Sequence, residues 1–188
     1  MPLSNQSVSR LQSLARLCDA TNERVGTAIS WLTVTMVAVT FLVVILRYMF
    51  NMGWIAMQES ITFMHAFVFM LGAAYTLKHD GHVRVDIFYL NCAKRTRAWI
   101  DIAGTCFLLM PMMFFILYVS WEYVATSWSL LEESSEAGGM PGFFVLKSTI
   151  VAMPILMIIQ GIAQIIHNAL FLNGIEPEPE HHHAGEIK

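Results

Sequence analysis

Few residues in this chain have side chains suited to chemistry, and their spacing limits what that chemistry is. His65 and His167 are the pair that a bis-histidine haem would need, two imidazoles on facing helices at one level. Within the apolar runs given below, His65 lies about ten residues from the outer end of its run and His167 about twenty-five from the outer end of its own. At ~1.5 Å per residue their depths differ by about 20 Å, too far for one iron. His65 then reads as a buried packing residue and His167 as an interfacial one. The stretch His79-Asp80-Gly81-His82-Val83-Arg84-Val85-Asp86 has ligand types without a metal-binding spacing, and Asp80-Gly81 reads as a turn. His181-His182-His183, in an acidic tail with proline, reads as solvated chain. Cys18, Cys92 and Cys106 suggest neither a disulfide framework nor a zinc site. Glu59 lies near the edge of its run, which favours an ion pair with Arg47 over a proton-carrying carboxylate of the kind a small four-helix exporter uses. No catalytic residue, cofactor or metal is expected.

The elements that must position these groups are set by lipid. The chain has 188 residues, 56% hydrophobic and 13% charged, with a mean hydropathy of +0.56; a soluble domain carries roughly 25% charged residues. Thirteen Met and twelve Phe fit apolar packing. A net charge of −3 argues against nucleic acid as a partner. Crossing about 30 Å of hydrocarbon takes about 20 apolar residues, and Thr27 to Leu46, Ile55 to Leu77, Ile102 to Trp121 and Gly142 to Asn173 all qualify. Trp31, Trp54, Trp99 and Trp121 sit near the ends of these runs, as interfacial rings do. Twenty-six mostly polar residues precede the first run and no cleavage pattern follows it, so it reads as a retained span rather than a signal peptide. The organisation expected is an all-α membrane protein in three parts. Residues 1–26 form a cytoplasmic interfacial segment, 27–173 a four-span domain (spans about 27–47, 55–77, 99–121 and 142–172), and 174–188 a cytoplasmic acidic tail.

Orientation follows Lys and Arg. Arg10, Arg16 and Arg24 precede span one, and Lys78, Arg84, Lys94, Arg95 and Arg97 lie between spans two and three. The other connections hold only Arg47 and Lys147, so both termini and the middle loop are placed in the cytoplasm. The opposite face carries Glu122, Glu132, Glu133 and Glu136. Two further amphipathic helices are expected on the membrane surface. One covers Val8 to Val25, with Leu11, Leu14, Leu17 and Cys18 among arginines facing anionic lipid. The other follows span three through Trp121, Val124, Ala125, Trp128 and Leu131, and Gly138-Gly139-Met140-Pro141 breaks it.

Within the spans, Gln160, Gln164, His167 and Asn168 form one polar stripe that needs hydrogen-bond partners on another helix. Gly26, Ser30, Thr33 and Thr40 on span one, and Gly72-Ala73-Ala74 on span two, permit close contact. Pro111 and Pro154 predict kinks.

The order of several short motifs resembles a known family, the DctQ-type small membrane subunit of tripartite ATP-independent periplasmic (TRAP) transporters. They are Arg47-Tyr48-Met49-Phe50, Trp54 with Gln58-Glu59, Gly72-Ala73-Ala74, and His82-Val83-Arg84-Val85-Asp86. Ser127-Trp128, Glu133, Gly138-Gly139-Met140-Pro141 and Leu146-Lys147 further resemble the mannitol/chloroaromatic-type subgroup. The resemblance implies a bacterial inner-membrane subunit that braces a separate large elevator-type carrier, which holds the substrate and sodium sites. A periplasmic binding protein would deliver an organic acid. Arg47, Glu59, His82, Asp86, Lys147, Gln160 and Gln164 would then fix internal geometry or the large-subunit interface, and Glu132, Glu133 and Glu136 would border the docking surface for the binding protein. The alternatives are a self-sufficient four-helix carrier and a haem-bearing electron-transfer subunit.

Overall fold

A computed structural model describes residues 5–82, 89 and 92–177. Asp86, Arg84 and His181-His182-His183 lie outside the described residues. The described elements are helices: α1 (Asn5–Met49), α2 (Ile55–Lys78), α3 (Lys94–Gly104), which passes through a π-helical turn (Thr105–Leu109) into α4 (Met110–Ser129), and α5 (Phe143–Leu172). Four continuous helical stretches, Asn5–Met49, Ile55–Lys78, Lys94–Ser129 and Phe143–Leu172, are long and apolar enough to cross a membrane.

The two segments expected as separate surface helices are helical but continue spans one and three without a break. Helix α1 runs from Asn5 through residue 26 to Met49, and Gly26 inside it lets the Tyr75 ring of α2 press onto the backbone, where any Cβ would collide with it. At 45 residues α1 measures about 68 Å, more than the about 40–45 Å of a whole bilayer. Its register against α2, fixed by Gly26 beside Tyr75 and Glu23 beside Lys78, carries the arm Asn5–Asn22 past the end of α2. The arm packs on the last turns of α5, where Ala15, Ile166 and Leu170 form a buried cluster covered by Val8 and Leu11. Leu11 therefore faces protein, whereas Leu14 and Leu17 remain exposed.

Local chemistry ends each helix. Asn51 takes a left-handed conformation (φ 52°) that lets the Met52 N–H reach back to the Leu46 carbonyl at 2.9 Å. Asp80 (φ 52°) and Gly81 close α2, with Gly81 N–H donating to Thr76 O at 2.9 Å, as the Asp80-Gly81 turn predicts. α4 stops at Ser129, before the glycines expected to break it, where Leu131 adopts φ 46° and Glu132 N–H bonds to Ser127 O. Gly142 caps α5 at φ 94°, a conformation that favours glycine.

Where a kink is expected at Pro111, the helix passes through a π-helical turn. Proline has no N–H to donate and its ring displaces the carbonyl four residues back. The helix widens just before it, with Met110 N–H bonded to Thr105 O, five residues back. This turn seats on Gly161 of α5, where a Cβ would lie 2.8 Å from Met110 Cε and 3.2 Å from Thr105 Cγ2. α5 is the axis of the bundle and packs against all four other helices. Its buried residues include Pro154, Gln160, Gly161, Ala163 and Asn168. By contrast α1 and α4 leave broad apolar faces open, Val34, Val37 and Phe41 on one and Phe115, Tyr118 and Trp121 on the other.

Candidate functional site

The polar side chains gather at the two ends of the bundle, one where α1 begins and α5 ends, termed the inner end after the orientation expected from the sequence, and the opposite, outer end. At the inner end the stripe on α5 meets its partner on α1. Asp19, Asn22, Glu23 and Gly26 fall on one side of a 3.6-residue helix, and this side faces α5 and α2. Asn22, 1% exposed, donates to Gln160 Oε1 at 2.8 Å, and Gln160 Nε2 donates to Asp19 Oδ1 at 3.0 Å. His167 is held between two carboxylates, with Nε2 2.8 Å from Asp19 Oδ2 and Nδ1 2.8 Å from Glu176 Oε2. Both ring nitrogens are thereby engaged with carboxylate oxygens, and the ring links α1 to the residues just after α5. Gln12 also donates to Glu176, at 3.1 Å. On the α2 side, Lys78 Nζ reaches Glu23 Oε2 at 2.5 Å and His79 Nε2 lies 3.1 Å from the same oxygen. Gln164 is turned into the bundle, and its Oε1, like Asn22 Oδ1 and Asn168 Oδ1, is buried without a donor among the described residues.

The outer end is built from the loop between α4 and α5. Glu59, one turn into α2, accepts from Ser134 Oγ and from the Met140 backbone N–H, both at 2.5 Å. The expected pair of Arg47 with Glu59 is therefore not made. The loop folds back over the start of α2 and occupies both carboxylate oxygens, and Arg47 stays exposed in the last turn of α1. Packing there is close, since a Cβ on Gly139 would meet the Ser134 side chain and come within 2.8 Å of Glu59 Oε2. A second contact fixes the other side of the loop, with Lys147 Nζ 2.5 Å from Glu132 Oε2 and 4.3 Å from the Tyr123 ring centroid. Ser127 Oγ donates to the same Glu132 oxygen at 2.7 Å. The Lys147 ammonium, and after it the Ser127 hydroxyl, holds the Glu132 carboxyl below the usual carboxylate range. Trp128 Nε1 donates to Ser148 Oγ at 2.8 Å.

Of the residues singled out in the sequence, the structure thus brings Gln160 together with His167 and, separately, Glu132 with Lys147. Glu133 and Glu136 are exposed. His82 stands apart from both clusters, with Nε2 3.2 Å from Ala73 O. His65 is exposed on α2, stacked on Phe69 at 6.3 Å, and is not the buried packing residue expected. Sequence reasoning missed Asp19, Asn22, Glu23 and Glu176 as partners of the stripe, and Ser134 as the partner of Glu59. The one-sided spacing of Asp19, Asn22, Glu23 and Gly26 was the available signal. For Ser134 there was none, because the contact depends on how the loop folds back.

No group of side chains able to hold a metal ion accompanies these clusters among the described residues; they join helices to one another and to a loop. Comparison with known proteins gives the same architecture a family. The family model described as tripartite ATP-independent periplasmic transporters, DctQ component, matches residues 36–170. The C4-dicarboxylate TRAP transporter small permease protein DctQ of Vibrio cholerae serotype O1 is 30% identical over 89 residues, 47% of this chain and 38% of that protein. The aligned stretch is thus under two thirds of that relative's length. No solved structure matches. The family match begins within α1 and takes in α2, the described part of the inner connection, α3, α4 and nearly all of α5, together with the Glu59 loop anchor: the chain belongs to the DctQ-component family of tripartite ATP-independent periplasmic transporters.

Proposed function

We propose that the chain is the small permease subunit of a sodium-coupled TRAP transporter in a bacterial inner membrane, with both termini cytoplasmic. In this reading it braces a large carrier subunit that takes up an organic acid delivered by a periplasmic binding protein. The observation that carries the reading is the use made of the polar groups. Glu59, Glu132, Lys147, Asp19 and His167 are all engaged in contacts between helices or with the loop, at the two ends of the bundle. The stretches between those ends are mostly apolar, with His65 exposed on α2 and stacked on Phe69, whereas an ion pathway needs ionisable groups gathered at depth. The open faces of α1 and α4 supply surface for a membrane partner. The exposed Glu133 and Glu136 supply charge for a periplasmic one, on a loop held in place by Glu59 and Lys147.

The test is reconstitution in liposomes with the large subunit and the binding protein. Sodium-driven uptake is expected with all three proteins and none with this chain alone. Transport by the purified chain alone would replace the proposal with a self-sufficient carrier. Reversing the charge of Glu133 and Glu136 is expected to weaken uptake with the subunit still in the membrane; unchanged uptake would remove the docking role of that loop.

A further inference from the structure

Gln58, Thr62 and His65 stand apart from both polar clusters, on the open side of α2. All three are exposed, and none of their side chains makes a hydrogen bond among the described residues. With Phe69, 71% exposed and stacked on the His65 ring, and Gly72, they follow spacings of four, three, four and three residues. Such spacing keeps side chains on one face of a helix, here the face opposite Phe63 and Ala74, which are buried in the bundle. Gly72 leaves a notch at the inner end of this face, with nothing within 4 Å of where a Cβ would stand.

Depth gives this face its meaning. Counted from Ile55 at about 1.5 Å per residue, Gln58 lies about 5 Å along α2, Thr62 about 10 Å and His65 about 15 Å, the middle of about 30 Å of hydrocarbon. Lipid tails offer no hydrogen bonds, so an uncovered carboxamide or imidazole is costly there. Thr62 can turn its hydroxyl onto a carbonyl of its own helix. Gln58 and His65 cannot be satisfied in this way, because the backbone around them is already paired. The open face of α1 differs: Val34, Val37 and Phe41 are apolar, and Thr35 and Thr40 donate to the Trp31 and Met36 carbonyls, at 3.1 and 2.7 Å. Either lipid or protein covers such a face, whereas the α2 face calls for a protein that can hydrogen-bond.

Spacings of four and three make the seam that a second helix fills at a shallow crossing angle of about 20°, and a glycine lets the two backbones approach. A second copy of this chain is a poor fit. Copies inserted the same way pair about an axis along the membrane normal, so each residue meets its own counterpart. Phe69 would then face Phe69 and Gly72 face Gly72, crowding one level and leaving the next empty. We infer that the Gln58-Thr62-His65-Phe69-Gly72 face of α2 receives a membrane-crossing helix of the large carrier subunit, one that presents hydrogen-bonding side chains opposite Gln58 and His65. This rests on the transporter reading, which supplies the second membrane protein.

The experiment co-expresses the full chain with the large subunit and attaches a benzophenone at Thr62→Cys, with Cys18, Cys92 and Cys106 changed to Ser. Illumination in the membrane is expected to join the label to the large subunit. Adducts with lipid alone, or with a second copy of this chain, overturn the inference. Gln58→Leu with His65→Leu, and separately Gly72→Leu, are expected to lower several-fold the amount of large subunit that co-purifies. The melting temperature of the chain by itself should not fall, since the first two side chains make no hydrogen bond within it and a Cβ at position 72 meets open space. Co-purification at the parent level in both variants overturns the inference and leaves the transporter reading standing. A parent chain that retains no large subunit removes the reading and the inference together. If a variant does not fold, the adducts formed from Thr62→Cys still decide.

Discussion

The inner and outer ends of this bundle both fix helices with carboxylates, but they do so under different conditions. At the inner end the hydrogen-bonded groups other than Glu176 lie on helices and are largely enclosed: Asn22 and Gln160 are buried, and Asp19 and His167 keep 21% and 30% side-chain exposure. At the outer end Glu132, Ser134 and Met140 lie on a loop, two of the donors to Glu59 and Glu132 are serine hydroxyls, and Glu132 keeps 36% although its partner Lys147 keeps 17%. Removing a partner from an enclosed pair leaves a charge or dipole that water cannot reach, whereas an exposed pair is replaced by solvation. The inner end is therefore suited to holding helices in one arrangement. The outer end is suited to holding a loop shape that a docking partner can still adjust.

This contrast can be broken by mutation, and the largest effect is expected at His167. His167→Leu leaves Asp19 and Glu176 facing each other with no hydrogen-bonding ring between them. Breaking such a pair costs about 3 kcal/mol when buried, so a marked drop in the melting temperature in detergent is expected. A double-mutant cycle with Asp19→Asn should show coupling, and additive effects would remove the inner cluster from the account. Next comes Gly26→Leu, which forces Tyr75 off α1. Overpacking of this kind costs about 1–3 kcal/mol, and Tyr75→Ala in the same chain should return part of it in the same melting experiment. If Gly26→Leu melts like the parent, the α1–α2 register is wrong.

A smaller and more local effect is expected from Glu59→Gln, which weakens two charge-assisted bonds at a cost of about 1 kcal/mol. Cleavage by a glutamate-specific protease at Glu133 or Glu136 should speed up while the melting temperature moves little. A large fall in melting temperature would mean that the outer end carries as much stability as the inner. The smallest effect belongs to Glu132. Its folded-state pKa lies below the ordinary value, so its bond to Lys147 is fully present above about pH 5 and is lost as pH falls through that lowered value. Trp128 emission, separated from the other tryptophans by Trp128→Phe, should report loosening with a midpoint below the usual carboxylate range. Glu132→Gln should abolish the transition.

Four spans, their order and the turn at Asp80-Gly81 were legible in the sequence, because hydrocarbon demands long apolar runs and a left-handed backbone favours a few residue types. The polar stripe on α5 was legible too, since Gln160, Gln164 and His167 recur at helical spacing. Its partners were harder to see. Asp19 and Asn22 lie 138 to 148 residues away, and only the register of α1 against α5 brings them alongside. Continuity of α1 through residue 26 was also hidden, because a change from polar to apolar composition looks the same whether the helix breaks or runs on.

The sequence by itself thus determined that the chain crosses a membrane four times and keeps its charges toward the ends, since these follow from each segment's own solvation. The tertiary structure decided which partner each charge meets. Arg47 and Glu59 were plausible as neighbours across a short connection, yet Glu59 bonds to Ser134 and Met140 instead. The physical reason is that a carboxylate in a span edge takes whichever donors packing delivers. Here a loop 75 residues further along the chain folds back and reaches it.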